Sequence, residues 1–442
     1  MSIDMFAGDE LLALLTTDMI GLTRGRWISA VAPEKSVQKG CGWVPANLAL
    51  TPFDIIADNP WGSAGDLRLK PDLATRFRVA TLPDATPLNG VLCDITGLDG
   101  EPWYGCGRSF LKAALADLER ETGLTVTAAF EQEFQIQEPG WEQAPAFSLA
   151  ALRRADPFAP LLMAALREAG VEPEMVLAEY GRDQFELVCG PADAVTAADR
   201  AVLIREITRE VARHCGLKST FVPKLAPDMA GNGLHIHFSF RDADGTPVTY
   251  DPTRPGRVGE ATGHFVAGLL RHMPALVAIT APSVVSYQRL KPHHWSAAYT
   301  AFGALNREAS VRICPVPETP GTDIAKAFNL EYRAADNTAS PYWALGVMIR
   351  AGLEGLRRKL PQPPLVGVDP ASLTEGEREA LGLHRLPASL PDALDAFTAD
   401  ETVRNWFHPD VLAAYLSAKQ KEIALVADLT EPEICNRYAG VY

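Results

Sequence analysis

Gly233–Arg241 reads GLHIHFSFR, a strict alternation. Leu234, Ile236, Phe238 and Phe240 face one way, while His235, His237, Ser239 and Arg241 face the other, which is the two-residue period of a β-strand. A half-buried strand normally sets Lys, Thr and Ser toward water. This one sets two histidines there. Working outward, Phe130–Ile136 (FEQEFQI) places Glu131 and Glu133 on one face, alternating with Phe130, Gln132 and Phe134. Leu330–Arg333 (LEYR) places Glu331 and Arg333 together, and in AEYGRDQFEL Glu179 and Glu186 flank a Gly-containing bend. Taken alone, each strand reads as a solvated polar face. Several strands that all carry acids or histidine point instead to one shared site.

Five glutamates and a histidine form a hard, oxygen-rich donor set with a single nitrogen. That suits Mg²⁺ or Mn²⁺ better than a structural zinc, which favours Cys and His. So many carboxylates repel one another unless cations neutralise them, which two divalent ions would do. Arginines follow in SYQRLKP (Arg289), NREASVR (Arg307, Arg312) and LEYR (Arg333). A planar guanidinium matches carboxylate and phosphate oxygens. Divalent metals with clustered arginine describe phosphoryl transfer, although a lone arginine is more often half of a surface ion pair. A Gly-Lys-Ser/Thr loop, GxGxxG, GxSxG and HExxH are all missing, so the chain does not read as a P-loop NTPase, Rossmann enzyme, serine hydrolase or zincin.

The chain has 442 residues, 47% hydrophobic and 22% charged, enough for two or more domains with large cores. Its 41 Lys+Arg against 55 Asp+Glu give a net charge of −14, and with no basic run a nucleic-acid partner is not expected. No apolar run approaches the roughly 18 residues of a membrane span. The N-terminal MSIDMFAGDELLALLTTD has no basic segment before an apolar stretch, so no secretory signal is expected. The seven cysteines are scattered with no CxxC pair, reading as reduced thiols in a cytoplasmic protein. Loop-rich sequence fills the first hundred residues, with a boundary placed near Gly105. Ser109 is expected to cap a helix ended by Gly123, and further helices are expected over 157–170, 193–216, 261–279 and 341–359.

In order along the chain, FEQEF, EYGRDQFE, GNGLHIHFS, SYQRLKP, NREASVRI and EYRAADNTASPYWAL resemble the successive active-site motifs of the glutamine synthetase family. The resemblance runs from about Gly65 to Leu356. It implies an α+β fold, with an N-terminal β-grasp domain over 1–105 and a catalytic domain on a curved antiparallel sheet over 106–442. It also implies a dodecamer of two hexameric rings, each active site lying between two subunits. By motif, Glu133, Glu179 and Glu186 would hold one metal, while Glu131, His235 and Glu331 would hold a second. Gly231, Arg289 and Arg333 would bind glutamate. Arg307 and Arg312 would steady the transferring phosphoryl group. His237, Ser239, Arg312 and, more weakly, Glu174 would contact ATP, and Asp66 would be lent to a neighbouring subunit's site.

The implied chemistry is attack of a glutamate γ-carboxylate on ATP, then displacement of phosphate by an amine. Three departures bear on the amine. Trp295 stands at the flap position where the family normally presents a glutamate. Arg182-Asp183 replaces the common Pro-Gly or Ala-Gly, and Asn329 stands where ammonia-using bacterial enzymes tend to have Arg. No NLYxLP-like adenylylation segment occurs near the C-terminus. The expected reaction is therefore ligation of glutamate to an organic amine, a monoamine first. A polyamine, ammonia, or a non-catalytic role for the fold remain as alternatives.

Overall fold

The computed structural model describes residues 11–30, 34–138 and 140–442, so the first ten residues of the N-terminal segment read above lie outside the described residues. Six strands come first: β1 (Leu11–Thr17), β2 (Thr23–Ser29), β3 (Cys41–Trp43), β4 (Leu67–Pro71), β5 (Phe77–Val79) and β6 (Leu88–Thr96). They form a mixed sheet in the order β2-β1-β6-β4-β3, with β5 also on β6 and β1 running parallel to β6. Nine more strands form the second sheet: β7 (Thr125–Ile136), β8 (Pro173–Ala178), β9 (Gln184–Cys189), β10 (Ala192–Asp193), β11 (Ser219–Thr220), β12 (Leu234–Arg241), β13 (Phe302–Ala304), β14 (Val311–Ile313) and β15 (Leu330–Tyr332). Its order is β13-β14-β15-β12-β7-β9-β8, with β10 and β11 also on β7. Every pairing is antiparallel except β13 with β14. Helices are interspersed with two sheets whose pairings are almost all antiparallel, so the class is α+β, as expected.

The apolar face of β12 explains where this sheet sits. Phe238 and Phe240 are 1% exposed and pack on Phe265 with ring centroids 5.5 and 4.8 Å away. Burying each such ring contributes about 1.5–3 kcal/mol. Phe265 belongs to the helix Glu260–Thr280, which crosses the helix Pro341–Arg357 at unusually short range. A Cβ on Gly268 would stand 2.2 Å from Ala351 O, and one on Gly355 would stand 2.1 Å from His264 O. Only glycine lets these two backbones meet.

Helix boundaries follow the sequence with one difference. The helix of the expected Ser109 cap spans Gly107–Thr122, so Ser109 lies inside its first turn and Cys106 is the N-cap residue without a side-chain bond. Gly123 ends it at φ 72°, as expected. The early start has a reason: Arg108 turns inward and ties the first sheet to the helix Ala194–His214. Its Nη1 lies 2.9 Å from Asp72 and 3.2 Å from Asp94 of the first sheet region. Its Nε and Nη2 donate to both oxygens of Asp199, on the helix Ala194–His214, at 2.9 and 2.8 Å.

All seven cysteines are free thiols, and no helix among the described residues is long and apolar enough to cross a membrane.

Candidate active site

Antiparallel register brings the polar residues of separate strands into one row. His235 of β12 lies opposite Glu131 of β7, and Glu133 of β7 lies opposite Glu186 of β9. On the other flank, His237 faces Glu331 of β15, which in turn faces Arg312 of β14. Directly opposed residues have Cβ atoms about 4.5–5.5 Å apart, so the row is continuous across five strands. Glu179 joins from the bend after β8, where its N–H donates to Gln184 O at 2.8 Å.

The second half of the row is the tighter one. Ligand atoms of Glu131, His235 and Glu331 lie within 4.8 Å of one another. Glu331 is 1% exposed and carries three cationic neighbours: Arg333 Nη1 at 2.6 Å, Arg312 Nε at 2.7 Å and His237 Nε2 at 3.3 Å. Arg312 makes a close ion pair there, off the line of a hydrogen bond. Burial pushes the Glu331 carboxyl up, but Arg333, His235, His237 and Arg312 together outweigh it and hold it below the ordinary value. His237 also bridges to Glu131 Oε2 at 3.0 Å and, through Nδ1, to Asn329 Oδ1 at 3.0 Å.

The other half is a crowd of carboxylates. Burial first, then Glu131, Glu133 and Glu179, raise Glu186 well above the carboxylate range, and burial followed by Glu133 and Glu131 also raises Glu179. Glu131 moves the opposite way: burial raises it, but hydrogen bonds with His235 and His237 hold it low. Glu133, Glu179 and Glu186 do not close to the distance reached by the first trio. This donor set of buried, mutually repelling carboxylates plus one imidazole fits hard divalent cations, and binding one there would release the proton held on Glu186.

A loop of small residues flanks the row. A Cβ at Gly231 would stand 2.8 Å from Arg289 Cγ, and one at Gly233 would stand 2.6 Å from Arg289 Nη2, so glycine at both positions gives Arg289 its path. Arg289 is buried. Its Nη2 donates to Arg333 O at 3.2 Å, while Nη1 has no acceptor. Burial lowers its affinity for a proton. A buried guanidinium with a free N–H is a receptor for an anionic group.

Gln184, Asn232 and Asn337 hold this loop, and sequence reading singled out none of them. Gln184 Nε2 donates to Gly231 O at 2.8 Å and to Asn232 Oδ1 at 3.0 Å, and Asn337 Nδ2 donates to Gly233 O at 3.1 Å. Amides inside motifs otherwise read for their acids were the available signal. Glu308 was also missed. It is buried beneath the flap, where its Oε1 accepts from Trp295 N at 2.8 Å.

Trp295 itself is 61% exposed at φ 52°, and its carbonyl accepts from Arg333 Nη2 at 3.1 Å. The backbone therefore braces the flap and the indole stays free. Asp183 also finds a role: it pairs with Arg154, whose guanidinium lies 5.0 Å from the Trp141 ring centre.

Three expected site residues are exposed in the single chain. Asp66 is exposed just before β4 on the first sheet, Glu174 is exposed on β8, and Arg307 is exposed in the loop before β14. Ser239 is half-buried two residues beyond His237 on the same face of β12.

Acidic metal-type donors beside buried arginines suit phosphoryl transfer, and the comparisons with known proteins place that chemistry in a class, the ATP-dependent ligases. Residues 104–438 match the glutamine synthetase catalytic domain, and residues 6–103 match the glutamine synthetase N-terminal domain. The chain belongs to the glutamine synthetase family. It is 34% identical to a gamma-glutamylpolyamine synthetase, GlnA3, of Streptomyces coelicolor, over 98% of this chain and 93% of that protein. It is 33% identical to the glutamine synthetase of Methanocaldococcus jannaschii, over 81% and 79% respectively. A crystal structure described as a novel glutamine synthase homolog superposes with a TM-score of 0.91 at 45% identity, covering 99% of this chain and 100% of that one. A ligand-free GmaS structure gives 0.81 at 26% identity, covering 96% and 95%.

Proposed function

We propose that this chain joins the γ-carboxyl group of glutamate to an organic amine, using ATP. The observation that carries the reading is the pairing of two features: an acid-and-imidazole row built for divalent cations, and beside it a buried Arg289 with an unpartnered N–H. Glu133, Glu179 and Glu186 would hold one Mg²⁺ or Mn²⁺, and Glu131, His235 and Glu331 the other. Bound there, the metals would neutralise phosphate charge. Arg289, Arg333 and the Gly231 loop bind glutamate. Arg312 and Arg307 stabilise charge on the transferring phosphoryl group, with His237, Ser239 and Glu174 on the nucleotide side. Residues 1–105 and 106–442 act as the N-terminal and catalytic domains.

Position 295 supports an organic acceptor over ammonia. An indole neither attracts NH₄⁺ as a carboxylate does nor accepts its proton. It offers apolar surface, and a cation over its face gains roughly 0.5–2 kcal/mol. RLKPHHWSAAY contains no acid to hold a polyamine's far ammonium, but the fold brings acids to it: Glu308 lies under this segment and Asp369 pairs with His293 at 2.7 Å. A polyamine acceptor is thus the second reading.

Phosphate release is to be measured with glutamate and ammonium, an alkylamine, an arylalkylamine or a polyamine, in wild type and in Trp295→Glu. Organic amines should exceed ammonium in kcat/KM by about tenfold, the equivalent of 1.4 kcal/mol, and Trp295→Glu should narrow that gap. Efficient use of ammonium by the wild type, or an unchanged ranking in the variant, rules Trp295 out of specificity.

Asp66 suits a site completed by a second subunit, since within its own chain it is exposed just before β4 of the first sheet. The active form should then be a ring-based assembly, of twelve chains by the family pattern. Light scattering coupled to activity checks this, and a fully active monomer refutes it.

A further inference from the structure

We infer that Glu308 supplies the carboxylate that the flap lacks, receiving the acceptor's ammonium head and taking its proton. The inference rests on the amine-ligase reading above and assigns a residue to its second step. Ten residues of the flap, Lys291–Thr300, contain no acid. Thirteen positions beyond Trp295, Glu308 returns beneath it from the loop before β14. Its Oε1 is engaged by the Trp295 N–H at 2.8 Å, and no hydrogen bond among the described residues goes to Oε2. At 8% exposure the charged carboxylate keeps little solvation, so a cationic partner at the remaining oxygen stabilises it.

The charged groups around it leave that oxygen available. His293 is already paired with Asp369 at 2.7 Å, and Arg333 is committed to Glu331 at 2.6 Å and to Trp295 O at 3.1 Å. These three groups are the charges that act on Glu308, and burial is the dominant influence, raising its carboxyl toward the range of a proton acceptor. Position is equally specific. Trp295 is held on both sides of one residue, its N–H by Glu308 and its C=O by Arg333, so Glu308 is three hydrogen bonds from Glu331 in the acid row. It also follows Arg307 directly in sequence.

A primary ammonium, with a pKa of about 10 by analogy with lysine, gives one proton to Glu308 Oε2. Its freed lone pair attacks the γ-glutamyl phosphate carbonyl carbon. The carbon–oxygen bond to phosphate breaks, phosphate departs with that electron pair, and a second N–H proton leaves to phosphate or solvent. Glu308 then returns its proton to water.

Hydroxylamine separates this role from a structural one, because it is neutral near pH 7 and needs neither an anionic anchor nor prior deprotonation. Glu308→Gln keeps an oxygen for the Trp295 N–H and removes only the charge. With glutamate and ATP saturating, its kcat/KM for an alkylamine should fall about 10²-fold, the scale of general-base catalysis. The loss with hydroxylamine should be at least tenfold smaller. Equal losses for the two nucleophiles, or no loss with either, overturn the assignment. Where Glu308→Gln lowers thermal stability, Glu308→Asp provides the reading: it keeps a carboxylate and should retain the wild-type ratio of the two nucleophiles, and collapse of that ratio counts against the inference. A wild type that uses no amine at all overturns the ligase reading and this one together. Amine use with an unchanged ratio in Glu308→Gln removes Glu308 alone.

Discussion

Replacing Glu133 by Gln should lower glutamate- and amine-dependent phosphate release by roughly 10²-fold or more, a larger effect than loss of the groups that merely orient metal ligands. The substitution is chosen because Glu133 does two things. Its Oε2 accepts from Gly233 N at 2.6 Å and from Gln184 Nε2 at 3.4 Å, which holds the loop that gives Arg289 its path. A glutamine oxygen can keep both bonds, whereas alanine would leave the Gly233 N–H without an acceptor at a cost of about 1–3 kcal/mol. What glutamine removes is a charge opposite Glu186. Repulsion within the row then eases, so the metal-free protein should unfold no earlier than wild type and its Mg²⁺ requirement should rise. Activity and stability thus move in opposite directions, which a simply structural carboxylate would not produce. Kinetics over a Mg²⁺ titration, paired with thermal melts in chelator, provide the check. Near-normal turnover at moderate Mg²⁺ would sink the two-metal assignment.

The largest stability effect should come from Arg108→Met, at about 3–5 kcal/mol, the cost of breaking a buried ion pair from one side. Arg108 is 4% exposed and serves three carboxylates on two parts of the fold. Lys112 still holds Asp94 at 2.7 Å after the change, but Asp199 is left buried with only the Tyr342 hydroxyl at 2.6 Å. Because the lost contacts join the first sheet to the helix Ala194–His214, residues 11–96 should loosen first. Denaturant midpoints should fall, and limited proteolysis should cut first near residues 97–106. An unchanged midpoint would mean that water or a shifted Lys112 replaces Arg108. Arg108→Lys tests geometry as well as charge, since an ammonium cannot reproduce the two parallel bonds to Asp199.

Sequence by itself determined the strands that carry the site and the identity of most of its charged groups. The alternation in GLHIHFSFR and FEQEF fixes which side chains share a face, because strand periodicity is local and an apolar set must be buried together. Helix ends were also local, as with Gly123 at φ 72° and the Asp193 cap of Ala194–His214. The early start of the helix at Gly107 was not local, since it depends on Arg108 finding three acids that lie 36 residues before it to 91 residues after it. Register between strands is likewise a tertiary matter: nothing in the separate motifs states that Glu133 faces Glu186 or that Glu331 receives two arginines. Glu308 shows the same divide most clearly. In sequence it is one acid in NREASVR, thirteen residues from a tryptophan. Only the folded chain places it under Trp295, because the loop before β14 and the flap converge on Arg333, and a buried carboxylate is directed there by a backbone N–H that the flap must satisfy.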